Sequence, residues 1–440
     1  MKNKNLNIIL ISFVAAMGGY LFGFDFAVIS GTLPFLRESF GLDAFWEGFT
    51  AASLAIGAII GCLIAGAYSE RYGRRSALMI SAAVFMISSL GMGVSPSLVT
   101  FICARFLAGV GVGMASMLSP MYIAEISPAN VRGRMVAINQ LTIVIGILFT
   151  NVVNYLLRNQ GHEAWRIMFS LGAMPSLVFL LGVIWLPESP RWLMKAGKYD
   201  KAEAVLHKLG NGDFVKETIG SIQKSLTGET NINYAAVFEK EYLPIVMVGI
   251  TLAVFQQLCG INVVFSYTSN IFESIGASKS DQLLQTVFIG VVNLIFTLLA
   301  MQLVDRVGRK PLMLIGSIGL SSLYIVISLM LGAKSVFTAI FLLSAIALYA
   351  TTLAPVTWVL IAEIFPNKVR SAATAVAVLC LWTGYFILMF TFPILEKWIG
   401  TNNTFYVYAG ICILGFIFIS LRVKETKGRT LEEMDNIFVH

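Results

Sequence analysis

The sequence predicts an all-α membrane protein of 12 transmembrane helices, arranged as two pseudo-symmetric six-helix halves with a polar linker between them. Three observations predict it. Of the 440 residues, 57% are apolar and only 12% are charged, with a mean hydropathy of +0.80. A water-soluble domain needs far more charged surface than that. The apolar residues gather into twelve runs, each of roughly 20 residues or more, the length that crosses a hydrocarbon layer ~30 Å thick. One charged pattern also occurs twice, as Glu70-Arg71-Tyr72-Gly73-Arg74-Arg75 and, 235 residues later, as Asp305-Arg306-Val307-Gly308-Arg309-Lys310. A second pair keeps step with it: Glu125-Ile126-Ser127-Pro128 with Arg132, and Glu363-Ile364-Phe365-Pro366 with Arg370, 238 residues apart.

In order, the runs lie near 7 to 30, 48 to 69, 77 to 95, 98 to 122, 135 to 157 and 166 to 186, then 242 to 265, 282 to 303, 311 to 331, 336 to 361, 372 to 395 and 404 to 422. This divides the chain into an N-terminal half (1–187), a linker with short helices (188–240), a C-terminal half (241–422) and a tail (423–440). The first run follows Met1-Lys2-Asn3-Lys4, yet it is too long for a signal peptide and no small-x-small cleavage site follows, so it reads as a retained span. In the linker, Tyr199 to Leu209 has helical periodicity, but some fifty polar residues bury too little core for an enzymatic domain.

Orientation follows from Lys and Arg. With both termini on one side, that side collects 24 of the 31 basic residues, whereas the other holds Arg37, Arg158, Arg166, Lys279, Lys334 and Lys397. The termini and linker are therefore expected to be cytoplasmic. The net charge of +7 is a topology signal and not a nucleic-acid footprint, which would be a basic patch on one folded surface. Five cysteines, Cys62, Cys103, Cys259, Cys380 and Cys412, all fall inside apolar runs without metal-ligand spacing. Gly57, Gly61 and Gly66 in span 2, with Gly109, Gly111 and Gly113 in span 4, suit close helix contact where no hydrophobic effect draws helices together.

Each repeated loop sets an acid beside a basic cluster and a turn glycine. The expectation is one inter-helix charge network per half: Glu70, Arg71, Arg74, Arg75, Glu125 and Arg132 in the first, Asp305, Arg306, Arg309, Glu363 and Arg370 in the second. Such networks would hold the cytoplasmic side closed and release on opening. Two halves on one plan, with charges confined to short loops, is the build of a secondary transporter.

Asp25 and Arg105 lie inside apolar runs. A lone ion in hydrocarbon costs several kcal/mol, so each should face the interior or a wet cavity. Counting from the turns puts both in the outer halves of spans 1 and 4, where they can meet. Separating or drying such a pair would switch Asp25 between charged and neutral, as proton coupling requires; a static ion pair is the plainer alternative. A second polar set is neutral: Gln140, Gln256, Gln257, Asn262 and Asn293 can donate and accept, matching a ligand covered in hydroxyls. Phe22, Trp358 and Trp382 could lie against its C–H surface.

With these residues in view, the chain resembles the sugar porter family of the major facilitator superfamily, and within it the bacterial proton-coupled xylose and galactose type members. The resemblance runs nearly end to end. It rests on Gly19 to Asp25 with Val28-Ile29-Ser30-Gly31, the Glu70 to Arg75 loop, Arg105 ahead of Gly109 to Gly113, and Ser119-Pro120-Met121-Tyr122-Ile123-Ala124-Glu125. It continues through Pro187-Glu188-Ser189-Pro190-Arg191-Trp192-Leu193, Gln256-Gln257-Leu258-Cys259-Gly260-Ile261-Asn262, Glu363-Ile364-Phe365-Pro366 and Glu425-Thr426-Lys427-Gly428. It implies the major facilitator fold, a proton-coupling acid at Asp25 paired with Arg105, and sugar contacts at Phe22, Gln140, Gln256, Gln257, Asn262, Asn293, Trp358 and Trp382. Facilitative relatives carry Asn at the Asp25 position. Ser266, Ala354 and Tyr385 stand where the family usually has Tyr, Gly and Asn, which implies a reshaped pocket.

The resemblance thus implies symport of a neutral monosaccharide, pentose or hexose, with H+ across a bacterial inner membrane, by alternating access. A monomer surrounded by lipid is expected, because each chain contains its own complete pathway. No cofactor, metal, nucleic-acid partner or catalytic residue is expected. A facilitative uniporter and a non-transporting sensor are the alternatives. An enzyme is disfavoured, because His162, His207 and His440 all lie outside the spans and no HExxH motif occurs.

Overall fold

The computed structural model describes residues 2–128, 131–210, 212–227, 237–366 and 369–427. Linker residues 211 and 228–236 and most of the tail, 428–440, lie outside the described residues. Twelve helices are long and apolar enough to cross a membrane: Ile8–Phe40, Ala44–Tyr72, Arg74–Gly93, Leu98–Ile126, Arg132–Leu157 and Ala164–Trp185, then Leu243–Ser266, Lys279–Val304, Arg309–Gly332, Thr338–Ile361, Ala372–Ile399 and Thr401–Arg422. They are numbered as spans 1 to 12. Short helices Pro190–Lys195, Tyr199–Leu209 and Gly212–Thr227 occupy the segment between spans 6 and 7. Among the described residues there is no strand.

Span 1 runs well past its expected end near residue 30. Gly31 and Pro34 read as a helix stop, yet the helix continues through Pro34 to Phe40. Pro34 has no N–H for the carbonyl four residues back, Ser30, and a helix survives this where another group takes the carbonyl. Here the Ser269 hydroxyl does so, at 3.0 Å. Span 11 repeats the device: Pro393 lies inside its helix, and the orphaned carbonyl of Met389 accepts the Tyr267 hydroxyl at 2.7 Å.

Two compact units emerge from the packing. One comprises Met1–Phe26, Ile56–Thr150 and Trp165–Thr230; the other comprises Ala27–Ala55, Asn151–Ala164 and Asn231–His440. In the first, spans 3 and 4 pack together, and span 2 meets span 4 so closely that a Cβ on Gly57 would sit 2.0 Å from the Phe106 carbonyl oxygen. Glycine there lets two backbones touch. In the second, span 7 packs on span 11, span 8 on span 10, and span 9 on both 10 and 12.

The second unit also contains the far ends of spans 1 and 2 and the end of span 5, all contributed by the N-terminal half. On this far face, the side reached by the turns between odd and even spans, they pack against C-terminal spans. Asn151 Nδ2 donates to the Thr286 carbonyl at 2.7 Å, Phe45 meets Phe390 edge to face at 5.3 Å, and a Cβ on Gly48 would lie 2.4 Å from the Phe390 carbonyl oxygen. The far face is closed.

Candidate functional site

Within the first unit, Asp25 and Arg105 meet as their positions foretell. Arg105 Nη1 lies 3.3 Å from both carboxylate oxygens, and neither side chain is exposed. The guanidinium also stands 6.0 Å from the Phe169 ring, in an aromatic cluster with Phe101 and Trp165. An ion pair so enclosed is stable only while both charges remain together, because either alone would lack solvation. Phe22 and Gln140 belong to the same unit and are half-buried, Phe22 packing on Phe26 at 6.0 Å.

The other predicted polar residues lie in the second unit. Span 7 is a helix from Leu243 to Leu258, interrupted at Gly260, where φ is 88°, and resumed at Ile261. Only glycine adopts that angle without strain. The interruption aligns three buried amides in a chain: Asn262 Nδ2 donates to Gln257 Oε1, and Gln257 Nε2 donates to Gln256 Oε1 at 2.9 Å. Asn293 and Trp382 are buried in the same unit, whereas Trp358 is 44% exposed. Trp382 meets Tyr385 edge to face at 5.8 Å, so one position that departs from the family pattern packs directly on a predicted contact. Span 10 also breaks, at Thr352 just ahead of Trp358, because Pro355 cannot donate to the Thr351 carbonyl.

At the near face each half builds a charged cage around its turn glycine. Arg74 reaches Glu125 at 3.2 Å and Glu70 at 3.2 Å, and donates to the Ser69 carbonyl at 3.0 Å. In the second half Arg309 reaches Glu363 at 3.2 Å and the Val304 carbonyl at 3.3 Å. Not every predicted member joins an ion pair. Arg75 turns to the Ile184 carbonyl and Arg71 lies over Tyr72 at 5.2 Å. Among the bonds of Arg370 is the one its Nε donates to the Phe365 carbonyl at 3.0 Å. Arg132 and Arg306 are exposed, and no ion pair joins either to an acid among the described residues. The side chain of Asp305 lies outside the described residues.

Two acids that sequence reasoning left out of the networks complete them. Glu188 accepts from the backbone N–H of Arg74 at 2.9 Å and of Arg75 at 3.2 Å, capping span 3. Glu425 does the same for span 9, accepting from Arg309 N–H and Lys310 N–H, each at 3.0 Å. Negative charge at a helix N-terminus is favourable. Burial works against ionisation of Glu425, but N–H donors from Lys427, Arg309, Lys310 and Thr426 outweigh it and hold the carboxyl below its usual range. The signal was available: Glu188 and Glu425 stand 237 residues apart, in step with the repeat.

Comparison with known proteins accords with this architecture. Residues 11–438 match the family model "Sugar (and other) transporter". The chain is 37% identical to the D-xylose-proton symporter of Escherichia coli, covering 98% of this chain and 96% of that protein. It is 36% identical to the arabinose-proton symporter of Bacillus subtilis, with 98% and 95% covered. The structure matches the inward-open xylose transporter of E. coli with a TM-score of 0.87 at 35% identity, over 98% of this chain and 100% of that one. The same transporter bound to 6-bromo-6-deoxy-D-glucose matches with a TM-score of 0.81 at 35% identity, over 98% and 99%. Twelve spans in two repeated halves define a multi-pass membrane transporter of the major facilitator fold. The chain belongs to the sugar transporter family.

Proposed function

We propose that the protein carries a neutral monosaccharide, pentose or hexose, together with H+ across a bacterial inner membrane by alternating access, with both termini cytoplasmic. The observation that carries the coupling is the fully enclosed Asp25 to Arg105 pair. Its carboxylate can take up a proton only if the guanidinium is released or rehydrated, which links protonation to a change of conformation. Relatives named as proton symporters of xylose and arabinose support the substrate class.

In this reading the chain works as a monomer in lipid, its two halves rocking around one central site. The amide chain of Gln256, Gln257 and Asn262, with Asn293, Gln140 and the aromatic groups Phe22, Trp358 and Trp382, would take the sugar hydroxyls and C–H faces. The caged charges at Arg74 and Arg309 would brace each half on the cytoplasmic side, and the closed far face becomes the external gate. No bond is made or broken in the sugar.

Sugar-induced alkalinisation of the medium tests the proposal in de-energised vesicles, across pentoses, hexoses and inositols. One sugar should raise external pH, and Asp25→Asn should abolish that rise while retaining sugar exchange. Uptake without a pH change in the unaltered protein would assign facilitated diffusion instead.

A further inference from the structure

The closed external face contains a charge cluster that sugar and proton coupling leave unexplained. Arg37 from span 1 reaches Glu47 of span 2 at 3.2 Å and Glu273, after span 7, at 3.1 Å. Glu47 is 5% exposed and accepts from Asn270 Nδ2 at 2.6 Å. Glu396, at the end of span 11, accepts from the Thr401 hydroxyl at 2.8 Å and lines the same cavity as Glu47 and Asn270. A cavity of about 290 Å³ adjoins the cluster, lined by Arg37, Glu47, Asn270, Glu273, Glu396 and Lys397.

Two features are unbalanced. Three carboxylates line the cavity with two cations, one of them the exposed Lys397, so Glu47 and Glu396 share a site with more negative than positive charge. The phenols of Tyr267 and Tyr408 supply no positive charge, and Glu38 is taken by Lys279 and His162 at 3.1 Å each. Moreover Asn270 Oδ1 is buried without a hydrogen-bond partner. An ionised carboxylate cannot serve it, being an acceptor only, whereas a carboxylic acid carries the missing donor. A proton taken up by the cluster would lower its excess negative charge and bring a donor into the cavity that Asn270 lines.

We propose that Glu47, Asn270 and Glu396 form a proton-binding site on the external gate, filled while the gate is shut and emptied as it opens. Opening would withdraw Glu47, on the N-terminal half, from Asn270 and Glu396, easing the excess of negative charge and admitting water. The inference rests on the alternating-access reading only for the existence of an outward-open state. This proton enters and leaves on the same side, so it adds nothing to the coupling stoichiometry. It makes acid outside hold the gate closed.

Ser269 is fully buried in the closed gate, which makes Ser269→Cys, in a chain whose native cysteines are replaced, a reporter of opening. The rate of its labelling by a membrane-impermeant maleimide is compared between otherwise unaltered and Glu396→Gln proteins at external pH 5.5 to 8. The comparison cancels the reagent's own pH dependence. The Gln amide supplies a permanent neutral donor, so the ratio of the two rates should climb with pH, by up to about tenfold per unit for one linked proton. A ratio that stays flat overturns the proposal. Should Glu396→Gln fail to reach the membrane, Glu47→Gln removes the opposing charge and the same rise is expected. Absence of labelling at every pH would instead overturn the outward-open state itself.

Discussion

The Ser269 hydroxyl occupies the carbonyl of Ser30, 3.0 Å away, which Pro34 has left without its helical donor. A proline in span 1 and a side chain after span 7 thus complete each other. Replacing Ser269 by Ala should cost about 1 kcal/mol in unfolding free energy, the usual worth of one hydrogen bond. In a Pro34→Ala background residue 34 supplies the missing N–H, so the same change should be close to neutral. Denaturant unfolding of the four proteins in detergent checks this; additive losses would show that the serine acts elsewhere.

Gly73 and Gly308 hold φ of 99° and 108°, where any side chain is strained. They differ in what a Cβ would strike: Glu188 Oε2 at 2.2 Å from Gly73, but Glu425 Oε2 at 2.9 Å from Gly308. Both alanine variants should lose 1 kcal/mol or more, roughly the cost of a left-handed non-glycine residue, and Gly73→Ala the more of the two. Thermal midpoints of the purified proteins decide the order.

Arg74 should be the less replaceable of the two caged arginines. Its side chain is 5% exposed and that of Glu125 9%, against 13% and 27% for Arg309 and Glu363. Lysine keeps the charge but loses the planar fork that serves Glu125, Glu70 and the Ser69 carbonyl together. We expect Arg74→Lys to destabilise by about 3 kcal/mol, the lower end for disrupting a buried pair, and Arg309→Lys by clearly less. Equal losses in the two would contradict this ranking.

Glu425 sets a pH dependence. Its carboxyl is held below the usual range in the folded chain, so its stabilisation is complete above the unfolded-state value and fades as pH falls through the folded one. The gap in thermal midpoint between wild type and Glu425→Gln should therefore be constant from about pH 5.5 to 8 and narrow only below the normal carboxylate range near ~4.3. A gap that narrows with rising pH would reverse the sign assigned to this group.

All twelve spans were legible, because hydropathy over some 20 residues outweighs any local signal. The far end of span 1 was not, since Gly31 and Pro34 argue locally for a stop and the partner that cancels them, Ser269, lies more than two hundred residues away. The repeat located Arg74 with Glu125 and Arg309 with Glu363, but could not say which loop arginines prefer carbonyls or solvent. That choice depends on where neighbouring helices end. Asp25 and Arg105 were paired by a simple rule: two buried opposite charges at one depth have few other partners. The far-face cluster went unread because Glu47, Glu273 and Glu396 sit at span ends, where acids are ordinarily hydrated, and only packing shows that Glu47 is not.

The bond from Ser269 to Ser30 ties the two halves of the chain through a carbonyl that has no partner of its own. If the proposed gate opens, that oxygen has to be taken by water, since leaving it bare in the membrane interior would cost several kcal/mol. In that reading opening is a hydration reaction with solvent as a reactant, and its equilibrium constant depends on water activity. An osmolyte too large to reach the opened carbonyl would draw the protein toward the form in which Ser269 holds Ser30.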